Sequence, residues 1–264
     1  MPSTILLSPA TSSLRTLTLS RLQLDQDESV CTVQTQGEEI CLYVLIGEVE
    51  IADISSEDVV GGSYGRFGGR RKVTDPGVAV LRLPAGHPST FDVHLCDFSA
   101  DILLVSAPGP GSGVQPISHR HDIWAHQVGE GTHQREVREV PTPAGYSISC
   151  GETLNIPGGV SSFPPHANME DLAKFQAGVT TWEEVMFFAC PSPGFAVLDG
   201  YYSTGQYDNS IIRLENGSAH PMVLGSHAIY SAPDAYIWYF WGYLGNALKK
   251  EYRRWSTDVG VYRK

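Results

Sequence analysis

Long apolar runs are missing from this 264-residue chain. No stretch of about 18 apolar residues occurs, so no membrane-spanning helix is expected. Positive charge is scarce as well: 18 Lys and Arg stand against 29 Asp and Glu, for a net charge of −11. An acidic surface argues against nucleic acid or an anionic membrane as partner. A small anionic substrate is not excluded, because a local arginine or metal ion can dominate a pocket. Cysteine is sparse and unpatterned. Cys31, Cys41, Cys96, Cys150 and Cys190 are odd in number, widely spaced and without a CxxC pair. Such residues in strands behave as buried small hydrophobes, which fits a reducing compartment. The opening MPSTILLSPATSSLRTLTLS lacks a charged start and a long apolar core, so no signal peptide and a cytoplasmic location are expected. Helical periodicity is weak, with short helical pieces expected only at 170–177 and 247–255.

What is present reads as β-structure. Gly (27) and Pro (17) punctuate the chain, and short runs rich in Val, Ile, Leu, Tyr and Phe lie between them. This is the pattern of an all-β sandwich or barrel. The runs predict strands near 16–22, 39–46, 49–54, 78–83, 90–96 and 102–106 in the first half. In the second half they predict strands near 136–140, 146–153, 184–190, 195–202, 210–214, 220–224 and 235–243. The Gly-rich stretch from Val60 to Arg71 reads as a flexible loop; a phosphate cradle is disfavoured because no P-loop lysine pattern or following helix accompanies it. The segment APGPGSG, Ala107 to Gly113, is a linker signal. It divides the chain into residues 1–113 and 114–264.

The second half is organised around Ser161 to Glu184, SSFPPHANMEDLAKFQAGVTTWEE. His166 and Asn168 are two apart, a spacing that points both to one face of a strand. Glu184 opens the apolar run that follows, and His227 precedes an aromatic strand in VLGSHAIYSAP. Two imidazoles, a carboxylate and an amide oxygen form a candidate site for a divalent metal with open positions. The halves also echo each other. Glu38-Glu39-Ile40 resembles Glu183-Glu184-Val185, and the run from Leu83 to His87 resembles that from Val223 to His227. The economical reading is two copies of one β-barrel unit. Upstream of Glu39 there is no histidine, so the first copy is expected to serve as structure and interface.

A second histidine cluster, His119, His121, His126 and His133, contains a metal-like His-x-His pair but no Glu-led strand beside it. It reads as a solvated crossing segment. The aromatic run from Tyr236 to Tyr243 reads as a buried strand rather than a sugar-stacking platform.

These residues resemble a known family, the bicupin sugar isomerases, represented by 5-deoxyglucuronate isomerase and 5-keto-4-deoxyuronate isomerase. The likeness rests on the PPH-x-N stretch at 164–168, the Glu-Glu-Val run at 183–185 and the lone His227 before Ser-Ala-Pro. It extends to Gly129-Glu130-Gly131-Thr132 with Arg135 and Val137, and to the closing Tyr252-Arg253-Arg254-Trp255. The resemblance implies two cupin-like barrels, with a divalent metal (Mn, Fe or Zn) in the C-terminal one. Its ligands would be His166, Asn168, Glu184 and His227. It implies aldose–ketose isomerisation of a sugar or uronic-acid derivative, and a homo-oligomer. Asn168 departs from the family, which has histidine there; an amide oxygen is a weaker donor to transition metals than imidazole. Alongside Glu184, Arg135 is a candidate clamp for a substrate carboxylate and Tyr201 a candidate hydroxyl donor. Two alternatives stay open on the same scaffold: a metal-poor binding or scaffold protein, and an oxygenase, lyase or epimerase.

Overall fold

The computed structural model describes residues 3–54, 62–86, 90–109, 115–119, 123–166, 183–190, 194–202, 207–222 and 226–244. At 163–166, 194–202, 207–210 and 226 it gives the course of the backbone alone. The helical pieces expected at 170–177 and 247–255 lie outside these residues, as do His87, His121 and Asn168. The described residues are all-β, with a single 3-10 turn at Gly131–His133. No helix among them is long and apolar enough to cross a membrane.

Two compact units emerge. Unit 1 comprises Met1–Pro9, Thr16–Trp124 and Glu139–Cys150; unit 2 comprises Ala10–Arg15, Ala125–Arg138 and Gly151–Lys264. In chain order the first strands are β1 (Ser3–Leu7), β2 (Thr18–Asp25), β3 (Val30–Gln34), β4 (Glu39–Asp53) and β5 (Ser63–Arg70). They are followed by β6 (Ala79–Leu83), β7 (Thr90–Leu95), β8 (Ser99–Ala107) and β9 (Ile117–His119). One path of pairing runs β1-β2-β8-β4-β6-β9. The far half of β4 leaves this path to pair with β5 and β7, and β3 pairs with β7. One long strand thus joins both walls of an open barrel. Its two predicted pieces, 39–46 and 49–54, are a single strand with a register shift near Ile46.

Alternation puts Ile40, Leu42 and Val44 of β4 on the inner face. There they meet Leu81 and Leu83 of β6, Phe91 and Val93 of β7 and Ile102 and Leu104 of β8. Each such side chain contributes roughly 1.5–3 kcal/mol when fully buried. Cys31 and the partly buried Tyr64 and Leu95 pack with this cluster.

The Gly-rich stretch expected to be a loop instead forms β5. Gly68 has a φ of +108°, and a Cβ there would stand 2.1 Å from the carbonyl oxygen of Gly47. Glycine is needed at 68 because this strand runs against the register shift of β4 at Gly47–Glu48, where a side chain would collide. The segment expected to be solvated around His119 also differs. His119 lies on β9 opposite Val80 and is buried.

The later strands are β10 (Trp124–Val128), β11 (Arg135–Val140), β12 (Ile148–Asn155), β13 (Val160–His166) and β14 (Glu183–Ala189). After them come β15 (Gly194–Tyr202), β16 (Tyr207–Leu214), β17 (Ala219–Met222), β18 (Ser226–Tyr230) and β19 (Ile237–Leu244). They form a six-stranded sheet, β10-β11-β12-β19-β14-β17, and a four-stranded sheet, β13-β18-β15-β16. This repeats the plan of the first barrel, with the long β4 replaced by two strands, β14 and β15. The inner face of unit 2 collects Met186 and Phe188 of β14, Met222 of β17, Ile229 of β18 and Ile237 and Tyr239 of β19, with Trp241 packed against them. Gly151 permits close packing here, since a Cβ would lie 2.4 Å from the Trp241 ring. Arg138 is buried and bonded to the buried Glu152 at 2.6 Å.

Candidate functional site

Strand parity places the predicted residues. Glu184 is two residues before Met186, which belongs to the unit 2 core, so the two share the inner face. Its neighbours in register are Met222 on β17 and Tyr243 on β19. His227 is two residues before the core residue Ile229 and shares its face. Both Glu184 and His227 are buried. His166 ends β13 directly opposite His227. Between Ser161 and His166 the register slips, and Ser162 sits in the left-handed region at φ 54°. A non-glycine residue held there is strained, and such bulges re-aim the residues beyond them. The fold therefore brings the positions of His166 and His227 together, and sets Glu184 on the same interior.

Comparing registers shows what this interior replaces. In the first barrel β4 begins its pairing with Glu39 opposite Ala107 and Ile40 opposite Leu83. In the second, β14 begins with Glu183 opposite Leu244 and Glu184 opposite Met222. Ile40, not Glu39, is thus the counterpart of Glu184. Likewise Val33 opposite Phe91 answers to His166 opposite His227, and Leu42 opposite Leu81 answers to Met186 opposite His220. The likeness of Glu39 to Glu184 in the sequence is therefore not a likeness of position, while the likeness of His87 to His227 falls outside the described residues. Register counts bonded pairs, whereas the sequence offered two similar Glu-Glu runs one residue out of step.

Glu39 then has a structural explanation. Its carboxylate is buried and accepts hydrogen bonds from Ser147 N at 2.7 Å, Ser147 Oγ at 3.0 Å and Ile148 N at 2.9 Å. Its true counterpart Glu183 also serves the backbone, accepting from the amide of Arg15. Two carboxylates tie down loops, while Glu184 alone of the three faces the core of its barrel.

Other polar groups line the same interior. Tyr239 donates to Ser161 Oγ at 2.9 Å, and Trp241 Nε1 donates to Thr153 Oγ1 at 3.2 Å. Burial raises the Tyr239 pKa, opposed by hydrogen bonding to Ser161 and Thr153 and by the charge of Arg135. Arg135 itself donates to the carbonyl of His133 at 3.0 Å. Tyr201 lies on β15 opposite Asp208.

His220 was not anticipated from the sequence. It lies on β17 opposite Met186 and packs edge-on against Phe188 at 5.9 Å. Its Nε2 is buried with no hydrogen-bond partner among the described residues, and burial lowers its pKa. The only sequence signal is its alternation with Met222.

The donor set suits a borderline divalent cation: a carboxylate and an imidazole buried on one inner face, with a second histidine in register with the first. Among the described residues alone, no group of three or more His, Cys, Asp or Glu is close enough to hold a metal ion. Of the four predicted ligands, only Glu184 and His227 have described side chains.

Among solved structures, an IolB-like protein from Salmonella typhimurium LT2 superposes with a TM-score of 0.77 at 19% identity, covering 95% of this chain and 91% of that one. The oxalate decarboxylase of Lactobacillus farciminis, in a formate complex, gives 0.63 at 11% identity over 92% of this chain and 81% of its own. Vicilin from hazelnut, Corylus avellana, gives 0.56 at 11% identity over 87% and 75%. At these identities the likeness establishes the fold: all-β, two cupin-like barrels with open seams. No curated protein sequence gives a significant match. The sequence model of the KduI/IolB family matches residues 3–260. By that match, which spans nearly its whole length, the chain belongs to the KduI/IolB family.

Proposed function

We propose that unit 2 is the centre of a metal-dependent aldose–ketose isomerase acting on a sugar or uronic-acid derivative of the 5-deoxyglucuronate kind. Family membership supports a sugar or uronate isomerase. The observation that carries the placement is the register comparison. Positions that are Val33, Ile40 and Phe91 in the apolar first barrel are His166, Glu184 and His227 in the second. A carboxylate and an imidazole on the inner face of the second barrel, where the first carries hydrophobic side chains, are the donor types a divalent-metal site uses, and this supports the reading.

In this reading His166, Asn168, Glu184 and His227 would hold Mn²⁺, Fe²⁺ or Zn²⁺. The ion supplies electrophilic polarisation of a substrate carbonyl. The chain's own groups do the rest. Isomerisation moves a proton between adjacent carbons, so it needs a group that accepts and returns one. His220 faces this interior, and burial lowers its pKa, which favours the neutral form a proton acceptor needs. Tyr201 is the candidate hydroxyl donor. Arg135 is the candidate partner for a substrate carboxylate.

The test combines metal analysis of the purified protein with an isomerase assay on a 5-deoxyuronate, followed by proton NMR in deuterated buffer. Expected are stoichiometric divalent metal, aldose–ketose interconversion, deuterium at the carbon that changes, and no oxygen uptake. Negligible metal after Mn²⁺, Fe²⁺ or Zn²⁺ addition, together with no conversion, would overturn the proposal in favour of a binding protein. Oxygen consumption would point to an oxygenase instead.

A further inference from the structure

Unit 1 contains a second cluster with chemical potential, unrelated to the interior of unit 2. Cys41 on β4 and Cys150 on β12 place their sulfurs 3.2 Å apart, and both are buried. Beside them is Arg82, on β6 directly opposite Cys41 and completely buried. Arg82 donates to the Ile148 carbonyl at 2.7 Å and to Cys150 Sγ at 3.6 Å, and stacks over the Tyr146 ring at 5.9 Å. Its Nε has no partner among the described residues.

A guanidinium is charged at any accessible pH, and burying one without an anion is very costly. Glu39, the nearby carboxylate, has its oxygens committed to Ser147 and Ile148. The group in contact with the cation is the sulfur of Cys150. Burial opposes ionisation of Cys150, but the hydrogen bond from Cys41 and the charge of Arg82 outweigh it and lower its pKa. Cys41 is held well above its ordinary value, by the hydrogen bond to Cys150 and then by burial. The arrangement sets two sulfurs in contact beside a buried guanidinium that favours the thiolate of Cys150 over that of Cys41, the pairing that disulfide chemistry requires.

We propose that Cys41 and Cys150 form a reversible dithiol–disulfide couple, with Cys150 the nucleophile, Cys41 the resolving thiol and Arg82 the positioning residue. A small peroxide is the oxidant. The Cys150 thiolate attacks one peroxide oxygen and the O–O bond breaks. The departing hydroxide takes up a proton, leaving Cys150 as a sulfenic acid. The Cys41 sulfur then displaces that oxygen as water and forms the S–S bond. In sum, two thiols and hydrogen peroxide give one disulfide and two waters; the sulfurs lose the two electrons that the peroxide gains. None of the five cysteines is in a disulfide in the structure, and Cys31, Cys96 and Cys190 serve as internal references.

The test treats the intact folded protein with hydrogen peroxide, then alkylates it in denaturant and maps its peptides without reductant. The expected result is a cross-linked peptide joining Cys41 to Cys150, lighter by two hydrogens and reversed by dithiothreitol, with the other cysteines alkylated. In Cys41→Ser the cross-link is lost and a dimedone-type probe traps sulfenic acid at Cys150. In Cys150→Ser both signals disappear. Alkylation of Cys41 and Cys150 to the same extent as the reference thiols, or oxidation confined to the half-buried Cys96, would overturn the proposal. So would conversion of Cys150 to sulfinic acid without any cross-link.

Discussion

Replacing Glu39 and Glu184 separately by glutamine should give opposite phenotypes, although the two residues open similar strands. The Glu39 carboxylate is 1% exposed and accepts three hydrogen bonds, two through one oxygen and one through the other. Glutamine keeps one acceptor oxygen and presents an NH₂ where the other was. If the oxygen stays with Ser147, the new NH₂ meets the amide of Ile148, donor against donor. One charge-assisted bond is lost, worth about 1.5–3 kcal/mol, and a buried donor is left unsatisfied at a further cost of about 1–3 kcal/mol. Allowing for partial relaxation, E39Q should destabilise unit 1 by about 2–4 kcal/mol. Metal content and turnover per folded molecule should be unchanged. E184Q should leave the fold in place, with a stability shift of less than about 1.5 kcal/mol, while bound metal and turnover fall to background. Urea unfolding, metal analysis and the isomerase assay on each variant measure these quantities. The reasoning is refuted if E39Q abolishes turnover with fold and metal intact, or if E184Q retains activity.

Three further outcomes follow. Protonating His220 is opposed by burial, so its folded pKa is below its unfolded one; the unfolded state binds more protons as pH falls below about 6.5, and stability is lost in that range. H220L, which copies Leu81 of the first barrel, should therefore gain stability relative to wild type at pH 5 and less at pH 8, read by thermal melts at both values. Asn168→His should tighten Zn²⁺ or Mn²⁺ binding, because imidazole is the better donor; unchanged or weaker affinity by calorimetry removes Asn168 from the ligand set. R138M strips Glu152 of a buried partner at 2.6 Å and should cost about 3–5 kcal/mol of stability, measured by urea unfolding.

Much of the fold was legible because alternation and turn residues mark buried antiparallel strands. The runs at 78–83, 90–96 and 102–106 correspond closely to β6, β7 and β8. The Gly-rich β5 was not legible, since Gly68 answers to the backbone of Gly47 on the neighbouring strand, a contact that no local pattern announces. The interior of unit 2 was partly legible. The inward position of Glu184 followed from the apolar alternation behind it, but its counterpart in the first barrel did not, because Glu38-Glu39 and Glu183-Glu184 look alike and only strand pairing separates them. His220 lay in a correctly expected strand and went unremarked, because no motif surrounds it. The contact of Cys41 with Cys150 joins residues 109 apart and leaves no local trace.

The contrast between an apolar barrel and its polar twin has a consequence for how the molecule comes apart. The inner-face cluster of unit 1 is built from hydrophobic side chains, whereas the inner strands of unit 2 also carry the buried Glu184 and His227 and the half-buried His220. Unit 2 should melt first in a ligand-free preparation, and saturating cation should close the gap between the two transitions by selectively delaying the earlier one. On the proposed reading of unit 2, the duplicated architecture would carry its own calorimetric reference, one transition moving with added cation and the other not.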